Sequence, residues 1–281
     1  MTYIDYPNKR QKHPHYEHRT EKLDQKNSNF SDRKFHHVRK VSTHKKILKS
    51  LGRIGMCLNY KTESSIQIED LDKVCLILIN DYDAIRKRDL GVGPLNDGYL
   101  VSLKHFRNGF KVFYLYDPKK EVFQNYLMFF LKNTREYLTV FYSGRSCNCG
   151  IDFYVGSLSK ETIGDIISVN SNRKAHVLFI TDCPAGGTVF DINIINDEDS
   201  PTRNLSSFYV EKLYDPESKK SKRTHGIFTY YFFKNAGNSP SITPSKMVEQ
   251  ISPQVKRFGE IVRCDVSDHH LSNSPIFNSK N

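Results

Sequence analysis

Four short apolar runs, separated by stretches with helical spacing, constrain this chain more than any other feature. They occupy residues 74–79, 110–116, 138–142 and 175–180. The run at 74–79 is unbroken, which is typical of a strand buried on both faces. Strands that alternate with helices imply a mostly parallel sheet with helices over both faces. Two further runs, 205–210 and 259–266, bring the expected total to six strands. Between the runs, Asn96 opens a helix that turns Leu100, Leu103 and Phe106 inward and stops at Asn108 and Gly109. Residues 122–132 form a second helix with Tyr126, Phe129 and Phe130 at core spacing, and residues 161–167, 226–233 and 244–251 form three more.

The chain has 281 residues, enough for one large domain and a tail. No apolar stretch is long enough to span a bilayer, and residues 1–10 lack the apolar centre of a secretory leader, so a soluble, cytoplasmic protein is expected. Six scattered cysteines are then expected as thiols. The net charge of +11 is unevenly placed: residues 1–53 hold 14 Lys/Arg against 5 Asp/Glu, so nine of the eleven charges sit there. Residues 1–46 are polar and without periodicity, which predicts a disordered basic tail. Such a tail can meet nucleic acid or an acidic membrane by counterion release, but no interleaved aromatic platform supports that role, and a solvated extension is favoured. Residues 47–70 form a short amphipathic linker, with Ile47, Leu48, Leu51, Ile54 and Leu58 at helical spacing. Residues 71–277 form the folded domain, interrupted by a charged loop at 211–225 that carries Lys219, Lys220, Lys222 and Arg223.

The fourth run breaks into Asp182-Cys183-Pro184-Ala185-Gly186-Gly187-Thr188, a tight turn at a strand end. It resembles the Asp-Ser-Cys-His-Ser-Gly-Thr nucleophile turn of metacaspases, the caspase-like cysteine peptidases. Four more segments are similar to that family, in the same order. Residues 74–80 look like its first strand, and Leu95-Asn96-Asp97 like its Asn-Asp helix start. Phe141-Tyr142-Ser143-Gly144-Arg145 is similar to its Tyr-Ser-Gly-His turn, and Gly226-Ile227-Phe228-Thr229 to its Gly-x-Phe-Thr helix opening. The likeness covers roughly residues 70–277 and implies a caspase-haemoglobinase fold: a mostly parallel six-stranded α/β sheet with helices on both faces. It divides the domain into a large-subunit-like part, 71–200, and a small-subunit-like part, 226–277.

The resemblance implies a thiolate nucleophile, a histidine that moves protons and backbone amides that hold the oxyanion. This chain departs from it at both catalytic positions. Arg145 stands at the histidine position, and a guanidinium stays protonated and cannot accept a thiol's proton. Pro184 stands at the cysteine position, with neither a nucleophile nor a backbone N–H. A pseudopeptidase with a binding or regulatory role is therefore expected. The alternative is a peptidase cleaving after Arg or Lys with the neighbouring Cys183 as nucleophile; otherwise Cys183 is an inert buried thiol. The acids that select basic residues in metacaspases correspond to Asp97 and Asp182, which either grip a guanidinium or ammonium or serve as a helix-terminal acid and a turn acid. Expected partners are a basic peptide, the chain's own tail or an active caspase-like relative.

No cofactor or metal is expected. Cys147 and Cys149 lack a second ligand pair, Asp152 and Asp191 do not make an evident calcium set, and Gly91-Val92-Gly93 lacks a phosphate loop's third glycine. His176 lies at the far end of its strand, and His225 reaches the turn only if its loop folds over it.

Overall fold

Alternation along β2 (Lys73–Ile79) sets the architecture. Val74, Leu76 and Leu78 fill one core, and Cys75, Ile77 and Ile79 fill the other. Successive strand side chains point to opposite faces, so an unbroken apolar strand needs a helix layer on each side. A computed structural model describes residues 44–82, 88–147, 150–172, 174–184, 186–192, 204–212, 226–238 and 241–277. Within it, α3 (Lys120–Asn133) and α4 (Lys160–Asn170) cover the first face through Phe123, Leu127, Phe130, Ile163 and Ile167. The second face is covered by α1 (His44–Gly52), α2 (Gly93–Arg107), α5 (Ile227–Asn238) and α6 (Pro244–Lys256). Each fully buried side chain of this size contributes about 1.5–3 kcal/mol.

The main sheet has seven strands rather than the expected six, in the order β1-β3-β2-β4-β8-β9-β10. The others are β1 (Met56–Cys57), β3 (Lys111–Tyr116), β4 (Tyr137–Ser143), β8 (His176–Asp182), β9 (Asn204–Lys212) and β10 (Glu260–Val266). All neighbours run parallel except β9 and β10. The added strand is β1, two residues paired parallel with β3. A segment that short carries no periodicity. It depends on Gly55, where a Cβ would lie 2.9 Å from the Val112 carbonyl oxygen. A small antiparallel sheet also escaped the sequence: β5 (Ser146–Cys147), β6 (Gly150–Asp152) and β7 (Ser157–Ser159).

Three local expectations need correction. Helix α1 begins at His44, inside the stretch assigned to the tail, and ends at Gly52; Ile54 and Leu58 lie beyond it, and Leu58 packs into the opposite core. Helix α2 begins at Gly93 with Pro94 in its first turn, three residues before Asn96. Phe106 is 45% exposed, and Val101, Ser102 and His105 turn inward instead. Steps of three residues fall about 60° short of a full turn each time, so the series from Leu100 drifts onto the solvent side. His105 is a core histidine: its Nδ1 lies 2.9 Å from the Val101 carbonyl and its Nε2 3.1 Å from Thr139 Oγ1. The tail before residue 44 and the basic loop of residues 219–223 lie outside the described residues. No helix among the described residues is long and apolar enough to cross a membrane.

Candidate functional site

The site lies at the carboxyl ends of β2, β4 and β8. Helix α2 reaches it because Gly98 lies directly on β2: a Cβ there would be 2.4 Å from Ile79 Cδ1. This close approach brings Asp97 to the end of β4, where Ser143 Oγ donates to Asp97 Oδ2 at 2.9 Å. Ser143 in turn pairs with Asp182, the last residue of β8. The two acids expected to act together therefore flank the same pair of strand ends.

Both acids also meet the start of α5. Asp97 Oδ1 accepts the Gly226 N–H at 2.8 Å, while Asp182 Oδ2 accepts the Thr229 N–H at 3.1 Å and the Thr229 hydroxyl at 2.8 Å. The first N–H groups of a helix have no partner within it, and carboxylates satisfy them in both hydrogen bonding and charge. Gly226 is required here, since a Cβ would lie 1.9 Å from Asp182 Oδ2. Asp97 and Asp182 are 2% and 6% exposed. Among the described residues Asp182 Oδ1 accepts no hydrogen bond, and a carboxylate has about four acceptor sites. Ser143 and Thr229 were not singled out as partners of these acids. The sequence carried one usable signal for Thr229, a hydroxyl in the third position of a helix opened by glycine.

Arg145 lies just past β4, half-buried. Its Nε donates to the Arg88 carbonyl at 3.1 Å. Arg88 donates to Asp152 Oδ2 and the Phe153 carbonyl, each at 3.2 Å, and its guanidinium stands 4.5 Å from the centre of the Tyr82 ring. The Tyr142 hydroxyl donates to the Arg145 carbonyl from beneath the turn. Gly144 permits this fold-over, because a Cβ would meet Tyr142 Oη at 2.6 Å.

Past β8, Cys183 and Pro184 separate. Cys183 is fully buried and belongs to the core with Val189 and Phe190, whereas Pro184 is exposed. The turn then packs Gly186 and Gly187 against β9, where a Cβ on Gly187 would meet the Tyr209 ring at 2.5 Å. His176 begins β8 and stacks on Tyr137 with ring centres 5.1 Å apart. Six residues of strand place it roughly 20 Å from the site. His225 and Cys149 lie outside the described residues, as does the side chain of Cys147. Asp152 is paired with Arg88, and no group of three or more His, Cys, Asp or Glu among the described residues is arranged to hold a metal.

No protein-family model matches the sequence, and neither does any curated protein. Solved structures do resemble it. A protein of Geobacter sulfurreducens solved in a structural-genomics programme aligns with a TM-score of 0.52 at 12% identity, over 75% of this chain and 100% of its own. Caspase-1 of Spodoptera frugiperda aligns with a TM-score of 0.50 at 9% identity, over 70% of this chain and 86% of its own. With its mostly parallel sheet between two helix layers, the chain has a caspase-like fold.

Proposed function

We propose that this chain is a metacaspase-like pseudopeptidase that binds an arginine or lysine side chain at Asp97 and Asp182 without cleaving the peptide. The observation that carries this reading is the convergence of two nearly buried carboxylates on the start of α5, Asp97 on the Gly226 N–H and Asp182 on Thr229, with Asp182 Oδ1 accepting no hydrogen bond among the described residues. A guanidinium or ammonium there would gain charge-assisted hydrogen bonds in a site where screening is weak. The absence of cleavage follows from the residues around it. Arg145 cannot act as a base, Pro184 offers no thiol or N–H, and the Cys183 thiol is enclosed in the core.

Two measurements test the proposal. Fluorogenic peptides ending in Arg or Lys should show no turnover above a heat-unfolded control; turnover abolished by Cys183→Ala would overturn it. A labelled Arg-containing peptide should bind, and Asp182→Asn should weaken binding at least ten-fold while near-ultraviolet circular dichroism stays native.

A further inference from the structure

The register between β4 and β8 places two residues of opposite character beyond one ladder pair. Ser143 pairs with Asp182, so Arg145 and Pro184 each lie two residues past that pair, on strands about 4.8 Å apart. On the strand side of this line stand the two carboxylates, Asp97 and Asp182, held by Ser143, Gly226 and Thr229. Beyond it stands a guanidinium only partly engaged. Arg145 gives Nε to the Arg88 carbonyl, but neither terminal nitrogen has a partner among the described residues. Those two nitrogens form the fork that takes a carboxylate through parallel hydrogen bonds. On the adjoining β8 turn, Pro184 is uncharged, exposed and without an N–H, and Cys183 is buried in the core. The acids thus lie at the ladder pair or bonded to it, and the guanidinium belongs to the residue two positions past Ser143.

We propose that the site takes a chain terminus, with the side chain of a C-terminal arginine or lysine at Asp97 and Asp182 and its α-carboxylate on Arg145. This rests on the binding function proposed above and names its ligand class. An internal arginine would offer Arg145 only a neutral peptide group, leaving a half-buried cation without a counterion. A terminal residue carries the anion itself, at the opposite end from its cationic group, which matches the order of charges in the site. Hydrogen bonds between two charged partners are the stronger kind, so the free carboxylate should dominate recognition. Such termini are what a peptidase that cleaves after basic residues leaves behind, so the domain would recognise the product of that reaction class.

The test compares four ligands: a fluorescent peptide ending in arginine with a free carboxylate, the same peptide amidated, the same length with arginine internal, and free L-arginine. Each is titrated against the wild-type chain, Arg145→Gln and Arg145→Lys, with circular dichroism confirming the fold. The free-carboxylate peptide should bind at least ten-fold tighter than the amidated and internal peptides. Arg145→Gln should bring the three peptides together, and Arg145→Lys should restore part of the preference. Equal binding of acid and amide to the wild type, or a preference that survives Arg145→Gln, would overturn the inference and leave basic-side-chain binding standing. Free L-arginine binding as tightly as the peptide would overturn the chain-terminus assignment. Binding of none of the ligands would sink the proposed function itself.

Discussion

Gly226 and Asp182 approach so closely that a single added methyl group on the glycine would lie 1.9 Å from a carboxylate oxygen. The contact joins the start of α5 to the end of β8, two elements far apart in sequence. It also sits at the centre of the candidate site, so its disruption reports on stability and binding together.

Gly226→Ala should therefore destabilise the chain by about 2 kcal/mol, within the usual range for overpacking a filled position. Urea unfolding measures it. A change under about 0.5 kcal/mol would show that the helix start moves aside at little cost, and that the site is looser than the hydrogen bonds suggest.

Asp182 and Thr229 should be energetically coupled. Asp182 Oδ2 accepts both the backbone and hydroxyl donors of Thr229, so removing either side removes shared hydrogen bonds. A double-mutant cycle with Asp182→Asn and Thr229→Val should give a coupling energy of about 1 kcal/mol. Additive effects would mean that the two residues act independently.

Cys183 should resist thiol reagents in the native protein and react only on unfolding, because its side chain is fully buried. Mass spectrometry after timed alkylation reads this directly. Cys183→Ala should cost stability, about 1 kcal/mol, for a truncated core side chain. Rapid native labelling at this residue would reopen the peptidase alternative.

Two buried groups should impose opposite pH dependence. Burial, and then the negative charge of Asp81, pushes the Asp117 carboxyl from 3.8 up to about 7. The native state holds that proton more tightly than the unfolded chain, so this stabilisation is full below 3.8 and is lost as pH rises to 7. Burial pushes His105 down from 6.5 to about 4. Its stabilisation is full above 6.5 and is lost as pH falls to 4. The contributions are on the order of 4 kcal/mol for Asp117 and about 3 kcal/mol for His105, and the two offset across the shared window. Asp117→Asn keeps an oxygen for the Tyr82 N–H and tolerates the residue's φ of 42°. Stability relative to wild type should therefore rise with pH between about 4 and 7 in this variant. A flat difference between the two stability curves would refute the assignment.

Part of the candidate site was legible before the structure because Asp182 and Arg145 follow apolar runs, and strand ends are where chain direction and exposure change together. The sequence pattern puts Asp97 at a helix start, whereas it lies in the second turn of α2. What could not be read was their company. The Ser143 and Gly226 bonds to Asp97 span 46 and 129 residues, and no local pattern encodes such a separation. The exposed Phe106 shows the opposite failure. Its spacing from Leu100 satisfied a three-residue repeat, but the helix faces the sheet through Val101 and His105.

By itself the sequence determined the alternation of apolar strands and helices, since residue-by-residue burial is written in hydrophobicity, and it determined the ionisable groups available at each turn. Tertiary structure alone decided which acids share a helix start, which side of the Cys183–Pro184 step faces the core, and that a two-residue strand extends the sheet. Those outcomes depend on close backbone approach at Gly55, Gly98 and Gly226, where a missing Cβ matters only once another element arrives against it.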